Sequence, residues 1–220
     1  MERYFEEELK ELKEKILYMG DITGAMINFA ISSLKRKQEN LLDAIYEKEK
    51  EVNKLHIEID EVCLRIIALR QPIAIDLRFI MAAVKINSDL ERIGDQAVNI
   101  AESSAKLQEH SDLKSIPDLD DMVNITQGML QNSLKAFINR DVELAKSVVL
   151  TDDNVDNLKS KIFHNLQELM KNDLAMVLSS LDFILISRNL ERIADHATNI
   201  AEDVIFMVLG KDIRHHVVAR

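Results

Sequence analysis

The chain has 220 residues, of which 47% are hydrophobic and 30% charged, and it carries a formal net charge of −10. That length and balance suit a folded protein with a real core. The acidic excess argues against nucleic acid as a partner, since binding phosphate backbones needs a basic surface. Five glycines and two prolines leave few turns and therefore long elements, and the single cysteine, Cys63, excludes an internal disulfide. No stretch approaches the roughly twenty apolar residues of a membrane span, because Ser179, Ser180 and Asp182 interrupt the best candidate, Leu174 to Ile186. The start shows no secretory pattern. A cytoplasmic protein, peripheral to a membrane at most, is the expectation.

The first predicted helix covers about Glu2 to Lys35, with Leu9, Leu12, Ile16, Met19, Ile22, Met26, Phe29 and Leu34 at helical spacing; Gly20 and Gly24 weaken it locally. The second, about Asn40 to Leu69, carries Leu41, Ile45, Val52, Leu55, Ile59, Val62, Ile66 and Leu69 along one seam. Pro72 disfavours helix at Gln71 and opens a third helix that runs to about Gln108. The polar segment up to Asp118, containing Pro117, reads as a linker over 110–118. The second half repeats the plan: helices from Asp118 to Asn139, from the N-cap Asp141 to Lys171, and from Asp173 to Leu209, closed by Gly210. A short basic tail, 211–220, follows.

The repeat is visible residue by residue. Leu90–Glu102 (LERIGDQAVNIAE) and Leu190–Glu202 (LERIADHATNIAE) agree at ten of thirteen positions at an offset of 100, and the second helices align at an offset of 103. The fold class is therefore all-α, two tandem three-helix bundles related by internal duplication, spanning 1–109 and 119–210.

At about 100° per residue, Glu91, Asn99 and Glu102 fall within about 40° of Asp95, while Ile86, Leu90, Ile93, Ala97 and Ile100 take the opposite, core side. The second copy places Glu191, Asp195, Asn199 and Glu202 likewise. On the preceding helices Glu49 and Asn53 stand one turn apart, as do Asp152 and Asp156. Like charges four residues apart repel, and acidic pairs on neighbouring helices are how a bundle gathers carboxylates around a metal ion. The alternative is a solvated face relieved by Arg92 and Arg192. Oxygen donors favour magnesium, manganese, calcium or iron; zinc would call for His or Cys. None of the six histidines has a Glu three residues before it, so the ferritin-like di-iron motif is missing. Neither a Gly-rich phosphate loop nor a nucleophile elbow occurs. Three readings stay open: a metal-binding regulator without catalysis, a carboxylate-bridged metalloenzyme, and a metal-free helical scaffold for basic partners.

The runs QPIAIDLR (71–78), KINSDLERIGD (85–95) and NLERIADHATNIAE (189–202) resemble the PhoU family of bacterial phosphate-uptake regulators. The resemblance extends over essentially the whole chain. It implies a non-enzymatic negative regulator of phosphate uptake and of the phosphate-starvation response. Its implied partners are the phosphate-specific ABC transporter, a PhoR-like sensor kinase and a second copy of the chain as a homodimer. It also implies a multinuclear metal, iron first, with magnesium, manganese or zinc as alternatives. The expected ligands are Glu91, Asp95, Glu191 and Asp195, with Glu49, Asn53, Asp152 and Asp156 in a looser version of the motif.

Overall fold

A computed structural model describes residues 2–35, 41–110 and 116–213. Six long helices account for almost all of them: α1 (Glu2–Lys35), α2 (Leu41–Arg70), α3 (Ala74–His110), α4 (Leu119–Asn139), α5 (Val142–Asn172) and α6 (Val177–Leu209). No strand occurs among the described residues. The middle of the expected linker, 111–115, and the last seven residues of the tail, with His215 and His216, lie outside them.

The helix boundaries follow the capping chemistry. Asp141 accepts a hydrogen bond from the Leu144 amide at 3.0 Å, satisfying one of the donors that every helix start leaves orphaned. Gly210 ends α6 at a φ of 67°, and its amide bonds the Phe206 carbonyl. Two starts differ from the sequence reading. α3 begins at Ala74 rather than at Pro72, because Gln71 and Ala74 both take positive φ and hold Pro72 and Ile73 outside the helix. α6 begins at Val177, since Asp173 caps a separate 3₁₀ turn at Leu174–Met176 through the Ala175 amide. α1 runs unbroken through Gly20 and Gly24.

The predicted seams form the core. Leu12, Ile16, Met19 and Met26 of α1, and Ile45, Val52, Ile59 and Ile66 of α2, are buried. Leu69 departs from the pattern: it is exposed in the last turn of α2, where the seam runs out. On α3 and α6, all ten expected core positions (Ile86, Leu90, Ile93, Ala97, Ile100 and their counterparts one hundred residues on) are fully buried. At about 25 cal/mol per Å² of apolar surface, such a face contributes roughly 1.5–3 kcal/mol per large side chain. Cys63 is buried as well, and burial pushes its thiol up to about 12; it is a core hydrophobe rather than a nucleophile.

The two bundles are pressed together along α3 and α6, which run antiparallel. Lys85 reaches Asp203 at 2.7 Å, Asp89 reaches His196 at 2.8 Å and Asn199 at 3.2 Å, and Arg78 donates to the Met207 carbonyl at 3.2 Å. As the number rises on one helix it falls on the other, so positions near 94 and 194 sit at the crossing, about a local pseudo-dyad. α1 and α4 form a second seam. There Gly20 allows close approach, since a Cβ on it would lie 2.5 Å from Leu134 Cδ1, and Lys13 donates to the Ile138 carbonyl at 2.7 Å. Phe79 of α3 stacks on Phe137 of α4, with ring centroids 5.5 Å apart.

Candidate carboxylate sites

Each half gathers acids where the middle of its second helix lies antiparallel to its third. In the first half Glu49 of α2 faces Glu91, Asp95 and Glu102 of α3. Burial first, then the charges of Asp95, Glu102 and Glu91, hold the Glu49 carboxyl above its ordinary range, against a smaller opposing effect of Lys50. Tyr46 donates its hydroxyl to Glu102 Oε1 at 2.9 Å. The Arg92 guanidinium lies 3.3 Å from Asp95 and 3.5 Å from Glu91. Asn53, the neutral member of the expected set, is exposed one turn along α2.

The second half is more strongly acidic. Asp152 and Asp156 of α5 face Glu191 and Asp195 of α6. Asp152 is raised by burial, with Asp156, Asp153 and Glu191 adding to the effect, while the Thr198 hydroxyl, donating to its Oδ1 at 3.2 Å, pulls the other way. Asp195 is pushed up to about 6, by burial first and then by Glu191, Asp152 and Asp156; His196 offsets a little. Lys159 sits among them, 2.6 Å from Glu191 and 3.9 Å from Asp156, and these contacts hold its ammonium protonated above the usual lysine range.

The structure thus assembles seven of the eight expected ligands into two clusters, with Asn53 at the margin of the first. Among the described residues no three His, Cys, Asp or Glu side chains converge tightly enough to hold a metal ion as they stand; Arg92 pairs with Glu91 and Asp95, and Lys159 with Glu191 and Asp156. Lys159 was not legible as part of the site, because a lysine on an amphipathic helix reads as solvated unless its neighbour across the seam is known. The expectation that both Arg92 and Arg192 relieve the stripe holds only for Arg92. Arg192 turns instead to the groove between α3 and α6. His196 ties α6 to α3 through Asp89.

A duplicated three-helix unit that presents acids from its second and third helices defines a class of all-α proteins built by tandem repetition, and known proteins of that class match this chain closely. The PhoU domain family matches residues 16–104 and again 119–204. The phosphate-specific transport system accessory protein PhoU homolog of Clostridium acetobutylicum is 35% identical over 214 residues, covering 96% of this chain and 97% of that one. The homolog of Zymomonas mobilis is 38% identical over 209 residues, covering 95% and 88%. Among solved structures, PhoU from Pseudomonas aeruginosa superimposes with a TM-score of 0.90 at 36% identity, covering 94% of this chain and all of that one. The phosphate transport system regulatory protein PhoU from Streptococcus pneumoniae superimposes with a TM-score of 0.88 at 28% identity. The chain belongs to the PhoU family.

Proposed function

We propose that this protein serves bacterial phosphate transport as an accessory regulator without catalytic activity of its own. It restrains uptake through the phosphate-specific ABC transporter and keeps the phosphate-starvation response off through a PhoR-like sensor kinase. The observation that carries the reading is identity at 35–38% along nearly the full length of relatives named as accessory proteins of phosphate-specific transport. On this reading it works in the cytoplasm as a homodimer at the inner face of the membrane. No helix among the described residues is long and apolar enough to cross a bilayer. A deletion strain without a second copy tests the regulatory role: starvation genes stay on in high phosphate, and normal repression refutes it.

The metal is part of the same proposal. Hard oxygen donors from two helices meet in each half, where burial first and the neighbouring acids second raise the carboxyls of Glu49, Asp152 and Asp195. A bound cation, iron first and magnesium, manganese or zinc after it, neutralises their charge in place of the Lys159 ammonium and the Arg92 guanidinium. The ligands are Glu49, Glu91, Asp95, Asp152, Asp156, Glu191 and Asp195. Elemental analysis of untagged protein, wild type against Asp95→Asn with Asp195→Asn, tests it. The double variant loses bound metal while its helical signal persists; equal stoichiometry in the two proteins removes the metal from the reading.

A further inference from the structure

The groove between α3 and α6, which touches the first carboxylate cluster only at Glu102, carries the opposite charge. It encloses about 300 Å³. Its cationic wall is made by Lys106 of α3 with Arg188 and Arg192 of α6, three exposed side chains that make no ion pair among the described residues. In a chain of net charge −10, three cations gathered without a neutralising partner run against the composition. Neutral donors complete the groove. Ser103 is only 6% exposed and Asn189 9%, and Asn99 lies at the rim. The one acid present, Glu102, already accepts the Tyr46 hydroxyl from outside the groove.

The internal duplication supplies a control. Moved by one hundred residues, these positions become Lys85, Ser88, Asp89, Arg92, Asn199, Glu202, Asp203 and Phe206. Here the seam is closed on itself: Lys85 pairs with the buried Asp203 at 2.7 Å and lies over the Phe206 ring, and Asp89 holds His196 and Asn199. Where one side has three acids and two bases, the other has three bases and one acid. Asp89 has become Asn189, Asp203 has become Ser103, and Ser88 has become Arg188. Each of the three replacements removes negative charge or adds positive charge.

We infer that the α3–α6 groove lined by Lys106, Arg188 and Arg192 binds a phosphate dianion, either free inorganic phosphate or the phosphoryl group of a small monoester. The two guanidinium forks supply paired donors matched to phosphate oxygens, Lys106 adds a point charge, and Ser103 and Asn189 add neutral hydrogen-bonding groups at the floor. This assignment rests on the groove alone, so it stands or falls separately from the carboxylate sites.

The test is calorimetric titration of the full chain, dialysed into chloride buffer, with inorganic phosphate and separately with glycerol 3-phosphate at matched ionic strength. The expected result is saturable binding of one equivalent with a Kd below about 1 mM. It weakens at least about tenfold in Arg188→Gln with Arg192→Gln, because each guanidinium removed takes with it charge-assisted hydrogen bonds. Lys146→Gln with Lys171→Gln, which removes the same charge from exposed pairs with Glu143 and Glu168, leaves binding unchanged. Tighter binding of inorganic phosphate identifies the free ion; tighter binding of the ester identifies a phosphoryl compound. Absence of saturable binding of both, retention in the arginine variant, or equal loss in the lysine control overturns the assignment.

Discussion

Asp195→Asn in metal-free protein is the sharpest probe of the second carboxylate cluster. Asp195 ionises near its ordinary 3.8 in the unfolded chain and at about 6 in the folded one. Between those values the folded protein holds a proton that the unfolded chain has released, so stability falls as pH rises from 4 through 6 and levels off above. A displacement of about two pH units corresponds to ~3 kcal/mol for a fully dry group. Asp195 is partly open to water, and screening reduces this to on the order of 1 kcal/mol. Asparagine keeps the shape and removes the charge. In chelator at pH 8 the variant should therefore melt roughly 2–4 °C above wild type, and the difference should vanish at pH 4, where both side chains are neutral. Adding millimolar manganese should raise the wild-type midpoint by more than that of the variant, which keeps only the first cluster, since binding stabilises only the state that binds. Thermal melts by circular dichroism across pH 4–8 measure all of this. A variant that melts below wild type at pH 8 in chelator, or by the same margin at every pH, refutes the repulsion argument.

Two further expectations concern the seam between the halves. Phe137→Ala removes a fully buried ring stacked on Phe79 of the other half and should cost about 3–5 kcal/mol; a single cooperative melt should persist, and calorimetry resolving two transitions would show that the halves fold independently. Lys85→Met breaks the 2.7 Å ion pair with Asp203, which is 4% exposed, and should destabilise by about 2 kcal/mol or more in urea denaturation at pH 7.

Periodicity and punctuation in the sequence determined the helices, the duplicated plan and the identity of the core. Ile86, Leu90, Ile93, Ala97 and Ile100 are buried because helical geometry puts them on one side at about 100° per residue, and no tertiary information is needed to place them there. The same geometry put Glu91 and Asp95, and Glu191 and Asp195, on a shared stripe. Spacing along one helix is silent about what faces that stripe. That Lys159 enters the second cluster, that Arg92 pairs with its own helix while Arg192 leaves for a groove, and that His196 meets Asp89 all depend on how helices distant in sequence pack. The antiparallel crossing of α3 and α6 decided these points, and with them a difference the repeat conceals. Two nearly identical stretches of chain lie across one seam, but each faces different substitutions on the other, so one side is neutralised within the protein and the other is left with its positive charge.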